Sequence, residues 1–500
     1  MTTIARLHAI ACRSGGLWLA PSSPPDCPHR AASVSCEPAV WIRGGAETLE
    51  ILPGPAGDRG WLARIEAADP GVGSPWDRLA TLARLLRLPL PAPNPSEGHA
   101  PAGFRGGFAG CFSYDLGRRF EDIPQELPSE LPWDFLLGFY DEVLEWTGTE
   151  PVLHSLNGVP GRLRALWEAS VGSSLPEDSV NTALCGPISP EMSQQEHKDG
   201  VLRIRELIRQ GTIYQANLTL RFEGSCTRPA APLASFLRLL KANPAPHAHY
   251  QELPELSIAS ASPESFLDLS TSGHVRSRPI KGTAPRGSTT STDEQLRDRL
   301  LTSEKDRSEL SMIVDLVRND IGRVCVPGSV NRRAELLAED HPSVWHLVGE
   351  ARGQLAPGRD AFDLIRAAFP PGSCIGAPKV RAMQLIEGLE RSRRGPYTGA
   401  LGWIGQDGSA ALSVTIRTLC FREGRVSYGV GGGIVFDSTP EDEWQEALLK
   451  GRALADALLG RCDERRTSPR EAGSGQSGRH EKLPSPAPNV RAGSSSVAEV

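Results

Sequence analysis

The sequence predicts a mixed α+β fold, in which strands and helices follow one another without the regular βαβ alternation of a doubly wound protein. Three observations carry that expectation. Apolar residues recur at helical spacing over 199–210, 293–318, 360–369, 379–391 and from 439 onward. Aromatic and β-favouring residues fill 110–114, 134–140, 213–222, 411–421 and 425–430. Gly- and Pro-rich stretches separate these segments and shape the start of the chain.

Taken in order, 89–103 (PLPAPNPSEGHAPAG) reads as a surface loop. The next helix carries Val201, Ile204, Leu207 and Ile208 on one stripe, with Gly211 where a helix C-cap glycine belongs. The last helix opens at Thr439-Pro440-Glu441-Asp442, with a hydroxyl N-cap, proline in the first turn and an acid three residues on. Beyond about Arg461 large apolar residues almost vanish, so 461–500 cannot bury enough surface to offset its ordering entropy and is expected to be disordered. No internal repeat is visible.

At 500 residues the chain can bury a large core. With 39% hydrophobic and 23% charged residues and a net charge of -6, it has no basic excess to hold phosphate backbones, which argues against nucleic acid as a partner. No apolar run approaches the ~20 residues of a membrane helix, and Arg6, His8 and Arg13 interrupt any signal-like core near the start. The ten cysteines are scattered singly without a CxxC, as suits a reducing cytoplasm.

Several side chains could carry chemistry, each with a plainer reading beside it. Lys281 lies between Pro279 and the Gly282-Thr283 turn; it is either a solvated charge or a nucleophile, and a nucleophilic lysine has to be partly neutral near pH 7 through burial or a neighbouring cation such as Arg278. Glu264 follows Pro263 at the entrance to an apolar run, where it is a strand-edge carboxylate or the acid that lets a hydroxyl leave as water. Glu309 shares a helix face with Met312, Ile313, Leu316 and Val317, which calls for an ion pair or a cation. Glu443, Glu446 and Lys450 fall at i, i+3 and i+7, the pattern of a solvated face, yet Glu309 and Glu446 together would suit Mg²⁺. Gly431, Gly432 and Gly433 lack a Walker ending and fit either a strand-to-helix turn or a backbone cradle for a carboxylate. Arg417 sits in a strand-like run, where it is an ordinary surface arginine or a guanidinium placed for a bidentate carboxylate contact.

In chain order, Gly211-Thr212-Ile213-Tyr214-Gln215-Ala216-Asn217-Leu218, Ser262-Pro263-Glu264, Arg278-Pro279-Ile280-Lys281-Gly282-Thr283, Asp306-Arg307-Ser308-Glu309, His346-Leu347-Val348, Gly376-Ala377-Pro378-Lys379, Ile416-Arg417-Thr418, Gly431-Gly432-Gly433-Ile434 and Glu443-Trp444-Gln445-Glu446 resemble the chorismate-utilising enzyme family. Gly106 to Gly117 is similar to that family's N-terminal subregion, so the likeness spans roughly 100–460. The resemblance implies an antiparallel-sheet-rich, two-layered fold with helices on its outer faces, divided into an N-terminal subregion (1–185) and a chorismate-binding catalytic region (186–460). It also implies roles. Lys281 would attack carbon 2 of chorismate, Glu264 would protonate the departing carbon 4 hydroxyl, and ammonia would then displace the lysine by adding at carbon 4. Glu309 and Glu446 would hold Mg²⁺, while Gly282, Thr283, Tyr397, Arg417 and Gly431 to Gly433 would bind substrate. Lysine at 281 resembles the branch that forms aminodeoxychorismate, whereas the anthranilate-forming branch has alanine there. No glutamine amidotransferase domain is visible, so ammonia is expected from a separate glutaminase subunit, on the path to 4-aminobenzoate and folate. One departure stands out: Ile375 replaces the small hydroxyl residue usual before Gly376.

Overall fold

A computed structural model describes residues 2–19, 32–87, 103–146, 150–158, 161–173, 182–242, 244–333, 336–341 and 344–461. Nearly all of the loop expected over 89–103, and the tail from 462 onward, lie outside the described residues. Two large sheets dominate. The first runs in the order Gly376–Ala377, Gln215–Ser225, Arg425–Ile434, Thr418–Arg422, Leu256–Ser262, His247–Leu253, Leu17–Leu19, Ala32–Ser35, Glu142–Trp146 and Pro151–Ser155, with Ile188–Pro190 also paired to Gln215–Ser225. The second runs Asn331–Arg332, Ala351–Gln354, His274–Arg278, Ser265–Leu269, Ala410–Val414, Ala400–Gly405, Gly107–Phe112, Phe135–Tyr140, Val40–Gly44 and Leu49–Pro53. Strands from 1–185 and from 186–460 share both sheets, and neighbours pair antiparallel, as in the long ladder of Gln215–Ser225 with Arg425–Ile434.

The sheets face each other. Trp41, Cys111, Leu136 and Leu401 of the second meet Leu253, Leu256 and Ile258 of the first, and Gln251 Nε2 donates across the seam to the Ala109 carbonyl at 2.9 Å. Helices cover the outer faces, since each has one apolar stripe to bury. Arg59–Ala68, Pro75–Leu86, Glu304–Gly322 and Ala361–Ala368 share a core with the second sheet; Thr2–Ala11, Ala231–Ala242 and Pro440–Leu459 share one with the first. The expected two-layered α+β architecture is therefore the observed one. The eight cysteines among the described residues are free, and no helix among them is long and apolar enough to cross a membrane.

Local signals gave most boundaries. Thr439 Oγ1 accepts from Asp442 N at 3.2 Å, and Pro440–Leu459 follows as its cap requires. Gln194–Arg209 begins five residues before the expected 199, at a Ser193–Glu196 capping box, and Gly211 takes φ +73° just past its end. Two expectations fail instructively. The helix expected over 293–318 is two helices, Thr290–Thr302 and Glu304–Gly322, because Ser303 ends one and caps the next by accepting from Asp306 N at 3.3 Å. The strand expected over 411–421 is also two, Ala410–Val414 in the second sheet and Thr418–Arg422 in the first, with Arg417 at φ +54° in the crossover between them.

Candidate active site

Two of the chain's crossings between the large sheets lie within hydrogen-bonding distance of each other. Pro263-Glu264 links Leu256–Ser262 to Ser265–Leu269, and Thr415-Ile416-Arg417 makes the reverse passage. Val414 N donates to the Glu264 carbonyl at 3.1 Å, Ala261 N to the Arg417 carbonyl at 3.0 Å, and Ser262 Oγ to the Val414 carbonyl at 2.6 Å. Glu264 is thus neither a strand-edge carboxylate nor solvated: it is 4% exposed at the seam of both sheets. Burial pushes its carboxyl up to about 7, against the pull of the Ser373 hydroxyl, the Lys281 charge and the Ile280 N–H.

Lys281 comes from a third, small sheet of Ile280–Pro285, Val344–Val348 and Leu337–Asp340. Its ladder slips between Ile280 and Thr283, a bulge that re-aims the side chain, and Gly282 takes φ +85° with the Asp306 side chain 3.0 Å from where a Cβ would be. The Lys281 amine is half-buried and makes no hydrogen bond or ion pair with the described residues, while its charge is felt by Glu264, Glu309 and Glu446. Arg278 is buried and engaged by Glu339 and Glu350, so it is not presented to Lys281 as a free cation. Thr283 is exposed; its Oγ1 lies 3.0 Å from His346 Nδ1, whose ring burial pushes down to about 3, leaving a neutral imidazole.

The two acidic helices meet the same space. Leu310, Ile313, Val314, Val317 and Ile321 form the buried stripe of Glu304–Gly322, and Glu309 lies half-buried at its margin with no ion pair to the described residues. Burial raises its carboxyl, with Lys281 and Lys305 opposing and Asp306 and Glu446 adding to the rise. Glu446 is exposed. Burial works to raise it, but Lys450, 2.6 Å away, and Lys281 and Lys305 carry it below the ordinary value. Two carboxylates on separate helices, with the charge of Glu446 acting on Glu309, could hold Mg²⁺, since that ion takes few protein oxygens and keeps positions for water and substrate.

Gly431, Gly432 and Gly433 are not a turn: they lie inside Arg425–Ile434, opposite Thr219, Leu218 and Asn217. Close approach explains them. A Cβ at Gly432 would lie 2.7 Å from Glu443 Oε2, and one at Gly433 2.2 Å from Gln215 Nε2. Lys450 Nζ donates to the Gly431 carbonyl at 2.8 Å, and Glu443 is buried and accepts from Ser438, so these two residues grip the strand while Glu446 between them is exposed. Tyr397 packs its ring on Gly429, where a Cβ would be 2.3 Å away, and burial raises its phenol. Arg417 is half-buried near Tyr397 and Glu446, hydrogen-bonds the Lys450 carbonyl, and has its pKa lowered by burial. Ile375 is fully buried in a core cluster with Val201, Ile204 and Ala216, so the departure at 375 fills core. Ser373, His346, Gln215 and Asn217 belong to the site as well; the sequence carried three of them only as unassigned motif letters and Ser373 not at all.

A bulge-borne lysine, a buried carboxyl with a raised pKa and paired helix carboxylates, gathered on a two-sheet scaffold, have the make-up of an enzyme active site. The chain belongs to the chorismate binding enzyme family, whose model matches residues 59–456. It is 39% identical to aminodeoxychorismate synthase component 1 of Salmonella typhimurium over 69% of this chain and 75% of that protein. It is 36% identical to anthranilate synthase component 1 3 of Haloarcula marismortui over 70% of this chain and 73% of that one. Among solved structures, anthranilate synthase component I from Streptococcus pneumoniae TIGR4 superposes with a TM-score of 0.68 and 26% identity, covering 86% of this chain and 92% of that chain.

Proposed function

We propose that this chain is the chorismate-aminating component of an aminodeoxychorismate synthase and that Lys281 is its covalent nucleophile. The observation that carries the reading is the Lys281 amine, unpaired among the described residues on its bulge, with its charge acting on Glu264, Glu309 and Glu446. Relatives named aminodeoxychorismate synthase component 1 support it, and lysine at 281 separates it from anthranilate formation. Lys281 Nζ bonds to carbon 2 of chorismate as the ring double bonds shift and the carbon 4 hydroxyl departs, taking the Glu264 proton to leave as water. Ammonia then bonds to carbon 4, and the carbon 2 to Nζ bond breaks with its electron pair returning to lysine. A tethered amine spares the enzyme from waiting for dilute ammonia to expel hydroxide directly.

Glu309 and Glu446 would hold Mg²⁺, which when bound neutralises and anchors the ring carboxylate. Arg417, Tyr397, Gly282, Thr283 and the Gly431 to Gly433 strand bind and orient the rest of the substrate. A separate glutamine amidotransferase subunit supplies ammonia in the cytoplasm, and the product goes on to 4-aminobenzoate and folate. Incubation with chorismate, Mg²⁺ and ammonium is expected to yield 4-amino-4-deoxychorismate, and Lys281→Ala to abolish it. Anthranilate as the product would overturn the reading, and full activity of Lys281→Ala would remove lysine from the mechanism.

A further inference from the structure

The strand Gln215–Ser225 carries two carboxamides on the side of the sheet that Gly433 faces, and three of their four polar atoms lack a hydrogen-bond partner among the described residues. Gln215 is wholly buried, yet neither its Oε1 nor its Nε2 is hydrogen-bonded. Asn217, 8% exposed, donates Nδ2–H to the Ser373 carbonyl at 3.4 Å; its Oδ1, which that contact leaves over, has no partner. Asn217 pairs opposite Gly433, and both amides converge there: a Cβ at 433 would lie 2.2 Å from Gln215 Nε2 and 3.0 Å from Asn217 Oδ1. Buried amide atoms are almost always satisfied, because their desolvation is otherwise uncompensated. Two adjacent unsatisfied amides against a glycine mark a place built for a polar ligand.

Ser373 relates this place to the reaction. Its carbonyl takes the Asn217 bond and its hydroxyl hydrogen-bonds Glu264, the acid assigned to the carbon 4 hydroxyl. Carbon 4 is also where ammonia adds. We propose that Gln215 and Asn217 form the subsite that holds ammonia for its attack on carbon 4, an inference that rests on the functional reading above. Ammonia has three N–H donors and one lone pair. The two amide oxygens accept two of the donors and leave the lone pair free for carbon 4. When the new carbon–nitrogen bond forms, the electron pair of the carbon 2 bond returns to Lys281 Nζ. The surplus proton on the new ammonium passes to the Glu264 carboxylate, replacing the one lost with the hydroxyl, so that chorismate and ammonia give aminodeoxychorismate and water.

Ammonium-dependent amination by the full chain with Mg²⁺, without any glutaminase, tests the subsite. Gln215→Met and Asn217→Leu keep the shape of the side chains and delete their polar atoms. Each is expected to raise KM for ammonium on the order of tenfold, as the loss of one or two hydrogen bonds implies, while KM for chorismate moves less than about threefold. Because neither polar atom of the Gln215 side chain has a partner among the described residues, Gln215→Met should also unfold at or above the wild-type temperature. An unchanged ammonium KM, or a chorismate KM that rises in step with it, overturns the proposal; if a variant does not fold, the same two constants for Gln215→Ser and Asn217→Ser decide. A wild-type protein that makes no aminodeoxychorismate overturns the functional reading instead, whatever the variants do.

Discussion

Val414 donates its backbone N–H to the carbonyl of Glu264 at 3.1 Å, and that bond ties together two of the segments by which the chain passes between its large sheets. A crossover residue is committed to neither sheet's face, so its side chain can point into the gap where the sheets part. Glu264 and Arg417 both occupy such positions, and Lys281 reaches the same gap from the bulged edge of the small sheet.

Replacing Glu264 with Gln tests the acid in two ways. Amination should fall on the order of 10²–10⁴-fold, the usual worth of a positioned proton donor. In the wild type only the protonated carboxyl donates, so kcat should decline as pH rises through about 7. The sign for stability follows from the same burial. The folded pKa lies above the ordinary 4.5, so the native state holds more protons than the unfolded chain in that window and stability is lost as pH rises through it. Gln carries no such charge; relative to wild type, the variant should gain on the order of 3 kcal/mol between about pH 4 and about pH 8. Thermal unfolding at both ends of that range checks this, and a pH-independent difference between the two proteins would sink it.

Glu309→Ala should separate metal binding from folding. The carboxyl is raised by burial and by its acidic neighbours Asp306 and Glu446, so the native protein holds it at a cost. Its removal should leave the melting temperature unchanged or higher, while calorimetry shows Mg²⁺ affinity reduced by about tenfold or more. A variant that binds Mg²⁺ as tightly as wild type would make Glu309 a structural carboxylate.

How much of this was legible in the sequence depends on how local the cause is. Caps are local, and Thr439 and Gly211 announced their helix ends. The break at Ser303 was equally local but was masked by an apolar period that continues from one helix into the next. The crossover at Arg417 was not legible, because β-favouring residues run through 411–421 whichever sheet they join; only the pairing partners Ser265–Leu269 and Leu256–Ser262 decide. Gly431 to Gly433 look like a turn in sequence because what they accommodate, Leu218 backbone, Glu443 and Gln215, is distant along the chain. Lys281 and Glu264 stood out through their motifs. The raised pKa of Glu264 did not, since it arises from enclosure by two sheets.

Gly429→Ala should act through Tyr397. The added methyl would stand 2.3 Å from the ring, which has to move or strain the strand at about 1–3 kcal/mol. KM for chorismate should rise if Tyr397 orients substrate. In Gly429→Ala with Tyr397→Leu the clash disappears, so stability should recover while KM stays high. Recovery of both would show that the ring only fills space.

Lys379, in the Gly376-Ala377-Pro378-Lys379 motif, holds helices together and leaves chorismate to other residues. Its Nζ is buried, 3.0 Å from Asp320 and 2.6 Å from the Ala368 carbonyl, so it joins the end of the Glu309 helix to Ala361–Ala368 and to its own helix. Lys379→Met leaves the Asp320 carboxylate buried beside only the half-exposed Arg323 at 3.4 Å, which should cost about 3–5 kcal/mol. Adding Asp320→Leu removes the orphaned charge and should restore much of that loss, because two well-packed apolar side chains often equal a buried ion pair. Urea unfolding of the single and double variants measures the difference. If the double variant is as unstable as Lys379→Met, the contact with the Ala368 carbonyl matters more than the ion pair. If it folds well yet aminates poorly, the pair sets the angle at which the Glu304–Gly322 helix presents Glu309.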